Sequence, residues 1–91
     1  MLHEKNICDQ FMKTIDRLIK EENTSEFLLC GSKNEIDLLL KILYEHNIIH
    51  NKDENTIWLK PRFVRLYRHD SYEDSVFLIP YKSTKNTISI Y

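Results

Sequence analysis

The stretch "EFLLCGSKNEIDLLLKILYEHNII", residues 26–49, joins a short apolar run to a helical pattern, and the fold class depends on it. Ser32 and Glu35 form a capping box, in which the hydroxyl and the carboxylate bond free amides at the start of a helix. The apolar residues that follow cover more than half of the helix circumference, which is typical of a central helix. Asn47 suits the left-handed position after the last turn. The sequence therefore predicts a helix from about Lys33 to the residues just before Asn47.

The residues before this helix contain a second helical pattern. Apolar residues fall on one helical face between Ile7 and Ile19, and charged residues cover the opposite face, so we predict a helix over about residues 7–21 with Asn6 as its cap. The run "EFLLCG" that follows suits a buried strand, although its pattern alone does not distinguish a strand from a helical turn.

The residues after Ile48 change to short β-rich runs separated by polar loops. The loops "NKDEN", "DSYED" and "STKN" are typical of hairpin connections, which predicts an antiparallel meander. Within it, "VFLI" is apolar on both faces and is the best candidate for an interior strand, whereas Pro61 and Pro80 are expected at strand ends, bulges or edges. The predicted runs are "IIH", "TIWLK", "RFVRLYRH", "SVFLIPYK" and "TISIY".

These patterns predict a single α+β domain over residues 1–91, with two helices packed on one face of an antiparallel β-meander of four to five strands, which "EFLLC" could join. An alternative is a winged helix. The run "SKNEIDLLLKILYEHNII" followed by "HNKDENTIWLK" resembles the recognition helix and wing of winged-helix domains. Only residues 22–31 separate the two predicted helices, which is short for the additional helix that this motif requires.

Composition limits the function classes. The net charge is −1 with 42% hydrophobic and 30% charged residues, so we expect a packed domain whose surface as a whole is not a polyanion-binding surface. The polar N-terminus and the lack of a long apolar run predict a cytoplasmic protein with no membrane partner. Cys8 and Cys30 are expected to be reduced and buried. The absence of Ala and the many Ile, Lys and Asn residues match AT-rich coding and suggest a low-GC bacterium, a phage or another virus.

The stretch "KPRFVRLYRH", residues 60–69, contains three of the four arginines of the chain. On a strand, Arg62 and Arg68 would lie on one face and Arg65 on the other. Arginine and aromatic side chains are enriched in protein interface anchors and also bind phosphates and stack on bases. Alternatively, Arg62 and Arg68 are edge-strand charges paired with acids such as Asp70 and Glu73. The candidate binding residues are Lys60, Arg62, Phe63, Arg65, Tyr67 and Arg68, together with Trp58 and Tyr81.

No catalytic, cofactor or metal motif is present. Gly31 is the only glycine, which excludes a glycine-rich phosphate loop, and the four histidines and two cysteines lack the spacing of a metal site. We therefore predict no catalytic residues, no cofactor and no metal. Small toxin ribonucleases of the RelE type nevertheless resemble the chain in size and in having helices before a β-meander. That resemblance implies Arg65, Arg68, Tyr81 and Lys82 as site residues.

The function that these observations favour is a small non-enzymatic regulator or inhibitor of phage or mobile-element type. It would act by binding a larger protein that has an acidic surface, through the arginine and aromatic residues named above. The first alternative is a domain that binds DNA or RNA through the same residues, and the second is the RelE-like ribonuclease. A homodimer is left open.

Overall fold

The computed structural model describes residues 2–52, 56–60 and 62–81, without the side chains of residues 2, 51 and 52. It contains two helices and a five-stranded sheet, which confirms the predicted α+β class. The predicted strand "TISIY", the loop "STKN" and Lys82 lie outside the described residues, as do Pro61 and most of the loop "NKDEN". The elements are α1 (Leu2–Glu22), β1 (Glu26–Gly31), α2 (Lys33–Glu45), β2 (Ile49–Lys52), β3 (Thr56–Leu59), β4 (Arg65–Asp70) and β5 (Phe77–Pro80).

Helix α2 has the boundaries that the sequence predicts. The Ser32 hydroxyl accepts a hydrogen bond of 3.3 Å from the backbone N–H of Glu35, as expected for the predicted cap. At the other end Asn47 has a φ of 60°, and the N–H of Ile48 donates to the carbonyl of Leu43 at 2.8 Å. This left-handed turn redirects the chain into β2.

Helix α1 begins at Leu2, about one turn earlier than predicted, so Asn6 is inside the helix and is not its cap. The additional turn is held against the end of α2, because the His46 Nε2 atom lies 3.3 Å from the Glu4 carboxylate. Cys8 then continues the buried face of α1 that Ile15 and Leu18 form further along. A contact between the helices therefore stabilises the first turn of α1.

The sheet is mixed, with strand order β2-β3-β4-β1-β5, which corrects the predicted antiparallel meander. Strand β1 lies between β4, to which it is parallel, and β5, to which it is antiparallel. The run "EFLLCG" therefore occupies the interior position that we assigned to "VFLI", whereas β5 is last in the order of the described strands. The physical reason is burial, because five of the six residues of β1 are buried. The same strand replaces the third helix of a winged helix, so that alternative is wrong.

Both helices pack on one face of the sheet, which we call the covered face. A single hydrophobic core joins residues of α1 and α2 to residues of the strands, among them Phe27 and Leu29 of β1 and Leu66 of β4. The alternate residues of β1, Leu28 and Cys30, are also buried but do not belong to this core. They lie on the opposite face of the sheet, which we call the open face, because successive side chains of a strand point to opposite sides.

The end of β1 contacts the connection between β4 and β5. The carbonyl of Gly31 accepts a hydrogen bond of 2.6 Å from the N–H of Ser71. A Cβ atom on Gly31 would lie 3.0 Å from the Cα of Val76 and 3.2 Å from the carbonyl oxygen of Ser75. The single glycine of the chain is thus needed for a close backbone approach, which holds β5 against β1.

Candidate binding face

The open face collects side chains from four strands. Leu28 of β1 is in register with Tyr67 of β4 on one side and with Ile79 of β5 on the other, while Trp58 of β3 is in register with Arg65 of β4. Paired residues on neighbouring strands share a face, so this register brings them together. The open face consists of Glu26, Leu28, Cys30, Thr56, Trp58, Arg65, Tyr67, His69, Phe77 and Ile79, with Tyr81 directly beyond β5.

A network of polar contacts holds Arg65 in place on this face. Its guanidinium carbon lies 4.8 Å from the ring centroid of Trp58, a cation–π distance. Its Nη1 atom donates to the Tyr67 hydroxyl at 3.3 Å, and that hydroxyl donates to the Glu26 carboxylate at 2.8 Å. The Arg65 Nε atom is buried without a hydrogen-bond partner among the described residues. Arg65 is therefore preorganised while its side chain remains 42% exposed.

Tyr67 and Tyr81 form an aromatic pair next to this network. Their ring centroids are 4.4 Å apart with an interplanar angle of 38°. The backbone fixes Tyr81, because its N–H donates to the carbonyl of Glu26 at 2.9 Å. Burial raises the pKa of Tyr67, the hydrogen bond with Arg65 opposes this and the Glu26 carboxylate adds to it, so the hydroxyl stays protonated as a hydrogen-bond donor at neutral pH.

The other half of the open face is apolar. Phe77 and Ile79 of β5 are 38% and 42% exposed, whereas Leu28 and Cys30 of the adjacent β1 are buried. Burial and the nearby Glu73 raise the pKa of the Cys30 thiol, which keeps it neutral. Among the described residues no helix packs on this face. The exposed apolar edge of β5 and the aromatic and arginine cluster of β3 and β4 thus form one mixed surface, of the composition that protein interfaces favour.

Arg68 lies on the covered face, opposite to Arg65, as expected for neighbouring odd and even positions of a strand. Its Nη2 atom contacts Asp37 of α2 at 2.9 Å and Asp70 at 3.2 Å. Although burial opposes the effect, these hydrogen bonds raise the pKa of Arg68. The hydrogen bond from Lys33, followed by that from Arg68, lowers the pKa of Asp37. Arg68 therefore connects α2 to β4, and the predicted pairing with Asp70 is present. The prediction that Arg62 and Arg68 lie on an edge strand is wrong, because β4 is an interior strand that begins only at Arg65.

The remaining predicted residues lie between β3 and β4. Lys60, Arg62 and Phe63 are exposed, and Arg62 Nε lies 3.4 Å from the Asp16 carboxylate of α1. The Phe63 ring makes an edge-on contact with His50 at a centroid distance of 5.6 Å. The structure thus brings Trp58, Arg65, Tyr67 and Tyr81 together on the open face and places Lys60, Arg62, Phe63 and Arg68 elsewhere.

The sheet geometry also bears on the RelE resemblance. Of the residues that this resemblance implies, Arg65 and Tyr81 lie on the open face and Arg68 on the covered face, while Lys82 lies outside the described residues. Within the described ranges no three histidine, cysteine, aspartate or glutamate side chains are close enough to hold a metal ion. No helix in the described part of the chain is long and apolar enough to cross a membrane.

Comparisons with known proteins found no matching family, no similar curated protein and no similar solved structure.

Sequence reasoning missed Glu26, Leu28, Phe77 and Ile79 as residues of this face. The runs "EFLLCG" and "VFLI" are apolar on both faces, and this pattern could have indicated Leu28, Phe77 and Ile79. If the helices cover one face of such strands, the other face is also apolar and is left open. The position of Glu26 beside Arg65 depends on the parallel pairing of β1 with β4, which local sequence patterns do not predict.

Proposed function

We propose that the protein is a small non-enzymatic binding module that holds a larger protein on its open face. The observation that carries this proposal is the combination of a preorganised arginine with aromatic and apolar side chains on a sheet face that no described helix covers. Trp, Tyr and Arg dominate interface hot spots, and rigid anchors lose little conformational entropy on binding. Such a module acts by occupying a surface of its partner, as a regulator or an inhibitor.

The charges of the chain favour a protein partner over a polyanion. Arg62, Arg65 and Arg68 each lie within 4.0 Å of a carboxylate of the same chain, at Asp16, Glu26 and the pair Asp37 and Asp70. A phosphate backbone would have to compete with these carboxylates. An acidic residue of a protein partner would meet the same competition at Arg65, but the partner would also cover the apolar residues beside it, which a phosphate backbone cannot do.

The test is capture of a partner from a lysate of the source organism by immobilised protein. The open-face variants Ile79→Asp and Arg65→Glu should lose a protein that the wild type retains. Leu38→Asp and Arg17→Glu are matched controls, because they make the same chemical changes at exposed positions of α2 and α1. Equal capture by all four variants would place the binding site elsewhere on the molecule.

A second candidate is binding of single-stranded nucleic acid, which the grouping of Trp58, Tyr67 and Tyr81 on one sheet face favours. Phosphate contacts make affinity fall log-linearly as salt rises, whereas a packed protein interface changes little. Fluorescence anisotropy of labelled single-stranded RNA and DNA at low and high salt separates the two functions. Steeply salt-dependent binding that is lost in Trp58→Ala would favour the nucleic acid.

A further inference from the structure

We propose that the partner covers the open face with an amphipathic α-helix that carries an acidic residue on the flank next to Arg65. This inference rests on the proposed function and specifies the shape and chemistry of the partner segment.

Strand β1 has the composition of a strand covered on both faces. It pairs in parallel with β4, and in wholly parallel sheets such strands are covered on both faces, usually by helices. Leu28 and Cys30 are buried on the open face even though the described helices pack only on the other side. The neighbouring Phe77 and Ile79 still expose more than a third of their surface. A second helical layer would complete the burial of this side of the sheet.

The backbone of the sheet face determines which kind of segment fits. The backbone groups of the interior strands β4, β1 and β3 are already hydrogen-bonded to neighbouring strands of the sheet. An extended peptide binds a sheet by adding to a free strand edge, where its backbone groups find hydrogen-bond partners. If it lay flat on a sheet face, its backbone groups would lose their hydrogen bonds to water without gaining others. A helix satisfies its own backbone groups and presents only side chains, so it can pack on such a face.

The size of the face matches a helix of about the length of α2. The strands are four to six residues long, which corresponds to about 13–20 Å. On the covered face α2, with 13 residues, packs against β1, β2 and β4. A partner helix of about three to four turns therefore spans the open face, with its apolar side over Leu28, Phe77 and Ile79.

The charge of Arg65 orients that helix. Arg65 lies at the β3–β4 side of the face and Ile79 at the β5 side, which are separated by about 10 Å because two strand spacings lie between β4 and β5. This distance is about the diameter of a helix with its side chains. A helix centred on β1 would thus lie over the aromatic pair that Tyr67 of β4 and Tyr81 beyond β5 form, with one flank at Arg65 and the other at Ile79. An acidic residue on that flank would pair with the exposed part of the guanidinium.

The experiment uses two display libraries panned in parallel on the whole folded protein. One library randomises the exposed face of a helix on a rigid helical-bundle scaffold, and the other randomises an extended loop. We expect binders from the helix library to have apolar residues at helical spacing and an acidic residue beside them. Their affinity should fall at least tenfold for Ile79→Asp and for Arg65→Glu, and stay within about twofold for Leu38→Asp and Arg17→Glu.

The outcomes separate the inference from the proposed function. Open-face binders that come only from the loop library would overturn the helix but retain the binding face. Binders from both libraries that ignore Ile79→Asp and Arg65→Glu, or the absence of binders, would overturn both. Sedimentation of the free protein adds a further test, since a dimer that Ile79→Asp dissociates would show that a second copy covers the face and would overturn the partner helix.

Discussion

The two faces of the same five-stranded sheet differ in what covers them, although β1 is apolar on both. On the covered face, α1 and α2 bury Phe27, Leu29 and Leu66 completely. On the open face, Leu28 is in register with Tyr67, which is held by hydrogen bonds, and with Ile79, which is 42% exposed. Burial of the covered face therefore supplies most of the stability of the domain, which leaves the open face available for contact.

The largest expected effect is the loss of a side chain from the covered face. Phe27→Ala removes a fully buried ring, which costs about 3–5 kcal/mol of the free energy of unfolding, whereas Ile79→Ala on the open face should cost less than about 1 kcal/mol. Urea unfolding followed by circular dichroism measures both values. Comparable losses for the two variants would contradict the division between the faces.

The next effect concerns the glycine that allows β5 to approach β1. Gly31→Ala places a methyl group 3.0 Å from the backbone of Val76, so we expect a loss of about 1–3 kcal/mol, because the contact is with backbone and cannot relax by a rotamer change. Ser75→Ala is a suitable control in the facing segment. Thermal unfolding of the two variants measures the difference. A variant Gly31→Ala as stable as the wild type would show that the two segments separate easily.

Much of the covered face could be predicted from the sequence, because it depends on local patterns. The capping box at Ser32, the left-handed turn at Asn47 and the periodicity of α2 are all visible in neighbouring residues. The open face was predicted only in part, because it depends on pairing between distant strands. Arg65 and Trp58 were recognised as residue types, but Glu26 joins them only through the parallel register of β1 with β4.

Loss of the cap at the start of α2 should have a smaller effect on the stability of the protein. Ser32→Ala removes the hydroxyl that accepts from the Glu35 amide, and such a change costs about 1 kcal/mol. Ser32→Asp should retain most of the stability, because a carboxylate also accepts this bond and interacts favourably with the helix dipole. Urea unfolding of the two variants tests the cap, and equal losses would show that the hydroxyl is not what stabilises the helix start.

The smallest expected effect on stability is that of the ion pair between Asp37 of α2 and Arg68 of β4, and it depends on pH. The pKa of Asp37 is lowered in the folded protein, so its ion pairs stabilise the fold fully only above its ordinary value of 3.8. This contribution is lost as the pH falls through the lower, folded-state pKa. We expect Asp37→Asn to cost no more than about 1 kcal/mol at neutral pH, because the pairs are partly exposed, and to cost less in acid. Unfolding of both proteins across the acidic range measures the difference, and a pH-independent difference would contradict this account.

The affinity of the captured partner for Ile79→Asp and Leu38→Asp, measured by isothermal titration calorimetry, decides whether the open face is the binding surface. Both substitutions place a carboxylate at an exposed aliphatic position, one on the open face and one on α2. We predict that Ile79→Asp weakens binding at least tenfold, which corresponds to about 1.4 kcal/mol, while Leu38→Asp leaves the affinity nearly unchanged. Equal affinities for the two variants, or a loss in Leu38→Asp alone, would contradict the assignment of the open face as the binding surface.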